Sequence, residues 1–292
     1  MPKRRVRRLL HSRLRLARSA GLRAPGSIAG GARSIFEEGI RLPVVRIVRA
    51  GELDPDMLNL IVHNTRDPEE RALDLRVQVA TNQRGAQAAR ELVAQTGIAA
   101  VRQSIDDVIA YTRRRIRNRI AELRLGEYSF TEYLDDDGMG GDPVPISVTV
   151  RVAGDGLSLD FSGSGQQARG AMNVPTNALH ACVYYSVKAL LDPELLPNAG
   201  LFDVVSISAP PGTIVNPNPP APVGARSITC QKVAGAIFGA FRGVLPPERV
   251  MASGNDVVPA IVYSGALTRR QGDYVYLETL GGGSGARFDA DG

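Results

Sequence analysis

Apolar residues recur along the chain at two different periods, and the change from one to the other divides it. Between residues 54 and 124 they step by three and four, the spacing of helices with one buried face. Val101, Ile105, Val108, Ile109, Thr112, Ile116, Ile120 and Leu123 form the clearest series. Two helix starts are marked chemically. Asp54-Pro55 and Asp67-Pro68 each place a carboxylate where it accepts from free first-turn amides and a proline whose fixed φ suits that turn. Asp67 and Glu70 also have capping-box spacing. The helix from Asp67 runs to about Gln95 and stops at Gly97, so residues 54–124 are predicted as a helical layer with an antiparallel pair closed near that glycine.

From residue 127 the period falls to two. Tyr128 to Leu134 reads as a strand and Asp135-Asp136-Asp137-Gly138 as a turn. Val148, Val150 and Val152, then Leu157, Leu159 and Phe161, form a hairpin across Ala153-Gly154-Asp155-Gly156. Leu179, Val183, Val187, Leu190 and Leu191 make a helix stripe ended by Asp192-Pro193. Leu42 to Val48 and Leu201 to Ile207 read as strands. Ala209 to Gly224, with six prolines, is a stiff irregular loop long enough to be a lid or binding loop. A helix follows from about Ser227, with Gly235, Gly239 and Gly243 leaving one flank bare for close packing. A last hairpin joins Val257–Tyr263 to Tyr274–Thr279. The expected fold is α+β: a helical layer at about 54–124 packed with mixed or antiparallel β-hairpins and buried helices at about 127–292.

Charge changes this picture at one end. Residues 1–24 hold nine of the 35 Lys and Arg and none of the 30 acids, so the remainder is net acidic by four. The tail is open to three readings: an organellar presequence, a nucleic-acid arm or an unstructured extension. No basic stripe with interleaved aromatics appears elsewhere, so no nucleic-acid partner is expected of the fold. No apolar run reaches membrane-span length. Cys182 and Cys230 lie within apolar helical patterns, which favours reduced thiols and a cytoplasmic setting.

The candidate chemistry centres on Asp160 to Asn177. There a strand breaks into Ser162-Gly163-Ser164-Gly165, continues through Gln166, Gln167, Arg169 and Asn173, and opens onto an apolar helix. The layout suits a site, and equally an ordinary crossover loop. A second candidate is Glu278 leading into Gly281-Gly282-Gly283-Ser284-Gly285, whose bare amides suit an anion or carbonyl. It lacks the Lys of a Walker loop, and Ala286 stands where a nucleophile elbow needs glycine. The acid cluster at Asp135 fails as an EF-hand, because Met139 and Gly140 occupy ligand slots and Ile146 stands in place of the closing Glu. No metal ligand set is predicted, the histidines being only His11, His63 and His180. The row Arg113, Arg114, Arg115, Arg117 and Arg119 reads as a solvated face or a docking surface for an acidic partner.

Several segments in order resemble the hydantoinase B/oxoprolinase family. They include Ile35-Phe36-Glu37-Glu38-Gly39-Ile40-Arg41-Leu42-Pro43, Asp74-Leu75-Arg76 within the Arg71 to Gln78 helix, and Phe130 to Gly138. Asp160-Phe161-Ser162-Gly163-Ser164 with Gln167 and Gly170, Asn173-Val174-Pro175, Pro197-Asn198-Ala199-Gly200, Pro220-Ala221-Pro222-Val223, Leu245 to Val250 and Glu278 to Gly292 complete the set. The resemblance implies a B-type subunit acting on five-membered cyclic amides such as hydantoins or 5-oxoproline. An A-type partner subunit would handle ATP and phosphorylate the carbonyl oxygen. It also implies a divalent metal; neither an ATP site nor a metal site is evident in this chain. Family members carry a longer N-terminal half with His and Asp metal ligands and continue past the glycine motif. The chain is therefore expected to be truncated at both ends and inactive alone, with residues 1–24 arising from a shifted reading frame. The candidate catalytic groups are then Asp160, Gln167, Asn173 and Glu278, and the candidate substrate-binding amides Gly282, Gly283 and Gly285. Two alternatives stand beside this: a subunit of a related ketone carboxylase, and a non-catalytic assembly fragment docking through the arginine row.

Overall fold

Asp54 and Asp67 begin helices as their chemistry dictates. In the computed structural model, which describes residues 28–65, 67–154, 156–250, 260–266, 273–281, 286 and 289–291, Asp54 Oδ1 accepts from the amides of Asp56 and Met57. Asp67 Oδ1 accepts from the Glu70 amide at 3.2 Å. A two-residue ladder, β1 (Val48–Arg49) with β2 (Glu52–Leu53), precedes α1 (Pro55–Val62). Then come two long helices, α2 (Pro68–Thr96) and α3 (Ile98–Ala121). Gly97 alone joins them, at φ 81° and ψ 147°, a conformation open essentially to glycine. Leu58, Ile61, Val62 and Leu75 form a small core at the base of α1 and α2.

The main sheet has the order β3 (Gly126–Leu134), β4 (Val144–Ala153), β5 (Gly156–Asp160) and β6 (Val205–Ser208). The first three pair antiparallel; β6 returns parallel to β5 after a crossover through α4 (Thr176–Leu191) and α5 (Ala199–Phe202). Period two decides which face is covered. Ile146, Val148, Val150, Val152, Leu157 and Leu159 point inward and meet Leu179, Val183 and Val187 of α4 and Val233, Ile237 and Phe241 of α6 (Arg226–Phe241). On the opposite face Ser129 bonds Thr149, Thr131 donates to Ser147, and Arg151 pairs with Glu127. The glycine flank of α6 serves close packing: a Cβ at Gly239 would overlap the Phe130 ring on β3. A separate ribbon, β7 (Ala260–Ala266) with β8 (Asp273–Thr279), ends the described fold. The architecture is α+β.

Three sequence expectations need correction. Leu42 to Val48 is not a strand: only Val48 enters a ladder and Val44 is 92% exposed, because β-branched residues extend into a sheet only where a partner edge exists. Leu201 to Ile207 starts as helix, since the Asn198 side chain accepts from the Gly200 amide and caps α5; the strand begins at Val205. The arginine row is a solvated face only in part: Arg114, Arg117 and Arg119 are exposed, while the row also pairs along and across the helix. Arg113 pairs with Asp203, Arg115 with the buried Asp192 through two hydrogen bonds, and Arg119 with Glu122. Residues 1–24 and the start of the last predicted hairpin at Val257 lie outside the described residues.

Candidate functional site

Asp160 ends β5 beside Ser208, which ends β6, so both sit at the carboxyl edge of the parallel pair. Asp160 lies on the open polar face. Its Oδ1 accepts from the Ser162 hydroxyl (2.6 Å), the Ser208 hydroxyl (2.7 Å) and the Ser162 amide (3.1 Å). Those bonds, with Ser162 the strongest contributor and Arg151 adding positive charge, hold its carboxyl below the usual aspartate range. Oδ2 receives no bond among the described residues. The result is an exposed, ionised carboxylate with one oxygen fixed and one available, suited to accepting from an N–H or a water.

The long loop after β6 is zipped onto the turn after β5. Phe161 N donates to Ser208 O, Gln167 N to Gly212 O, Ile214 N to Gly165 O and Val174 N to Ile214 O, all within 3.0 Å. Gln167 Oε1 accepts from the Asn218 amide (2.9 Å). Asn173, with no exposed surface, accepts from Ala168 N and donates to the carbonyls of Ala168, Gly170 and Pro222. Thr176, opening α4, donates to Asn216 Oδ1 at 3.0 Å. From the other side Glu38 accepts from the amides of Val223 and Gly224, each at 2.6 Å. Burial pushes its carboxyl up despite those bonds. The acid cluster once compared with a calcium loop is a clasp as well: Asp137 pairs with Arg169 at 2.6 Å, and Arg169 also donates to Gly140 O.

Two of the four predicted catalytic residues therefore grip the proline-rich loop, Gln167 through Asn218 and Asn173 through Pro222, while Asp160 bonds Ser208 at the strand end from which the loop departs. Asn173 is fully bonded and internal, so it shapes the turn. Glu278 stands on β8, exposed, accepting from the Tyr276 hydroxyl. Gly282, Gly283 and Gly285 lie outside the described residues. Sequence reading missed Ser208, Asn216 and Asn218; the one signal for them was polar residues set among prolines. A shallow groove of about 270 Å³ lies at the opposite end of β5, lined by Arg151, Gly156, Ser158, Asp203 and Ser206. It touches none of the predicted residues. Among the described residues no three His, Cys, Asp or Glu side chains gather to hold a metal ion, so the metal that the resemblance implies finds no ligand set in them.

The family model for hydantoinase B/oxoprolinase matches residues 17–292. The chain belongs to that family. A 5-oxoprolinase of Dictyostelium discoideum is 26% identical over 270 residues, covering 90% of this chain and 20% of the relative. The crystal structure of ATP-dependent caprolactamase from Pseudomonas jessenii superposes with a TM-score of 0.77 at 26% identity, over 90% of this chain and 44% of that one. By sequence its subunit beta is 28% identical over 224 residues. Nucleotide-free acetone carboxylase shares the fold, with a TM-score of 0.76 at 18% identity over 93% of this chain and 39% of that one. The chain thus spans less than half the length of these relatives. Among its described residues no helix is long and apolar enough to cross a membrane.

Proposed function

We propose that the chain is part of a B-type subunit of an ATP-dependent enzyme that opens five-membered cyclic amides of the hydantoin or 5-oxoproline type. The observation that carries this reading is the family match over residues 17–292, with relatives named for 5-oxoproline and caprolactam opening aligned to nine-tenths and three-quarters of the chain. An amide oxygen leaves poorly as such. Phosphorylation by an A-type partner activates the carbonyl carbon, and water adds to it. The ring C–N bond breaks as the nitrogen takes a proton, and a second water hydrolyses the resulting acyl phosphate to carboxylate and phosphate. In this scheme the free Oδ2 of Asp160 accepts from the ring N–H or from the attacking water, and Gln167, Asn173 and Glu38 hold the loop that follows Ser208. Asp160 stays ionised well below neutral pH, which suits orientation by charge better than proton abstraction. Glu278 and the amides of Gly282, Gly283 and Gly285 are proposed to complete the pocket as acceptor and donors for the activated carbonyl. No step is assigned to a metal.

The test is co-purification with an A-type subunit followed by an assay for ADP and ring-opened product, using hydantoin, 5-oxoproline and caprolactam. ADP formed in step with ring opening supports the reading, as does an Asp160→Asn variant slowed by about 100-fold or more. The chain alone is expected to show no turnover. ADP formation that needs bicarbonate and a ketone would instead mean a carboxylase subunit.

A further inference from the structure

Two residues before Asp160 on the same face of β5, Ser158 lines the shallow groove together with Arg151 of β4 and Ser206 of β6. These three form one row across the sheet, Arg151 opposite Ser158 and Ser158 opposite Ser206. Period two puts that row and the next, Thr149, Asp160 and Ser208, on the face that α4 and α6 leave uncovered. Arg151 and Asp160 are thus diagonal neighbours on adjacent strands, a placement that sets them about 7–8 Å apart.

The donors of the groove are only partly used. Arg151 gives Nε to Glu127 Oε1 at 2.7 Å, and among the described residues its Nη groups and the hydroxyls of Ser158 and Ser206 have no partner. Asp203, also in the lining, is taken up by Arg113. The face therefore carries an unused acceptor at Asp160 Oδ2 and, one diagonal away, unused donors on a cation. The geometry points to a binding site for a small molecule with a nitrogen donor and a carboxylate on the same carbon, its N–H on Asp160 Oδ2 and its carboxylate on Arg151, Ser158 and Ser206.

Charge selects this ligand over a plain anion. Arg113 and Arg151 are matched by Asp203 and Glu127, and Asp160 adds one further negative charge. A phosphate would bring close to two more beside three carboxylates. An ammonium–carboxylate head group adds no net charge and sets its positive end against Asp160. The choice of ligand rests on the proposed function and narrows it to rings that carry an acid group. 5-Oxoproline has an N–H and a carboxylate on one carbon, and ring opening turns that N–H into the ammonium of glutamate. Hydantoin and caprolactam lack the carboxylate.

The test titrates the purified chain by calorimetry with 5-oxoproline, glutamate, acetate and pyrrolidinone, the last being the same ring without its carboxylate. The expected result is that 5-oxoproline and glutamate bind about tenfold or more tighter than acetate or pyrrolidinone. Arg151→Gln should remove that advantage, and Ser158→Ala or Ser206→Ala should reduce it about threefold. Asp160→Asn should weaken glutamate more than 5-oxoproline, because only glutamate loses a contact between opposite charges. Arg151 is 57% exposed, so its variant is expected to keep the parent urea midpoint. Equal binding of 5-oxoproline and pyrrolidinone, or an Arg151→Gln chain that keeps the parent's preference, would overturn the site. In the complex with an A-type subunit, Arg151→Gln should raise KM for 5-oxoproline and leave that for hydantoin unchanged. A complex that opens no ring, while the chain still prefers 5-oxoproline to pyrrolidinone, would count against the proposed function and for this site.

Discussion

The sheet with α4 and α6 and the paired helices α2 and α3 both carry apolar residues at regular spacing, yet only the first buries them along its whole length; the second is also the more polar in composition. In the first, Ile146, Val148, Phe161, Val183, Val233, Ile237 and Phe241 have no exposed surface. In the second, no residue from Arg76 to Tyr111 is buried, and Leu92, Ile98, Ile105, Val108 and Tyr111 are each half exposed or more. The stripe on α3 is continuous at three- and four-residue steps, and its far end, Thr112, Ile116 and Ile120, is packed against the body. A helical stripe buries itself only where another layer meets it, and two helices joined by one residue supply no third surface. Periodicity therefore announces a helix and its apolar face but not what covers that face.

If the contrast is real, side-chain deletions in the two regions should differ several-fold. Phe241→Ala removes a fully buried ring and is expected to cost about 3–5 kcal/mol, measured by urea unfolding of the whole chain. Gly239→Ala adds a methyl where the Phe130 ring already lies and is expected to cost about 1–3 kcal/mol. A cost below about 0.5 kcal/mol for either would mean that α6 does not lie flat on β3.

The junction between the regions comes next in size. Asp192 follows α4, is 3% exposed and faces Arg115, whose guanidinium burial is partial. Asp192→Ala leaves that cation without its two-bond partner, and because Arg115 reaches solvent the expected loss is roughly 2 kcal/mol rather than the full penalty of a buried pair. The double variant with Arg115→Ala should recover part of it. An unchanged urea midpoint for Asp192→Ala would show that the Arg115 pair contributes nothing to the hold of the body on α3.

How much of this was legible in the sequence depends on the range of the interaction. The caps at Asp54 and Asp67, the hinge glycine at 97 and the β4–β5 hairpin are local, and period and turn chemistry located them within a residue or two. The partners of Arg113 and Arg115 lie 90 and 77 positions away, and no local pattern signals them. The parallel return of β6 was hidden for the same reason. Within the candidate site, the turn from Asp160 to Asn177 could be read from its broken strand and amide-rich composition. Its second half could not. Ser208 reaches Asp160 because β6 returns parallel to β5, and Asn218 and Asn216 reach Gln167 and Thr176 because the proline-rich loop folds back on the turn.

Acid should act on the clasps of the body with opposite signs. Asp137 is held below the usual aspartate value by Arg169, so its contribution is present above about pH 4 and is lost as pH falls through the folded value. Arg169 is well exposed, which limits the effect to roughly 0.5–1 kcal/mol. Asp137→Asn should therefore lower the urea midpoint at pH 7, with a deficit that narrows as pH falls below the ordinary aspartate value. Glu38 is displaced upward by burial, so its protonated form is favoured and stability falls as pH rises from about 4 through its folded value. Glu38→Gln keeps an acceptor for Val223 and Gly224, and the midpoint should then vary less with pH across that window. A deficit for Asp137→Asn that does not narrow as pH falls would show that the side chain acts through packing and not through its charge.

The smallest global effects are expected in the arm, where they test the contrast most directly. Ile105→Ala and Val108→Ala remove side chains already half exposed, and each should change stability by less than about 0.5 kcal/mol. Gly97→Ala separates space from conformation. A Cβ there meets nothing within 4 Å, but the positive φ strains any other residue by about 1–3 kcal/mol. In the packed body such strain would register as lost global stability. In the arm it can be relieved by fraying the helix ends around residues 90–104, so hydrogen exchange there should accelerate about tenfold for each 1.4 kcal/mol while the urea midpoint barely moves. A Gly97→Ala midpoint shifted as far as that of Gly239→Ala would mean the two helices unfold with the body, and the arm could no longer be treated as a separate unit.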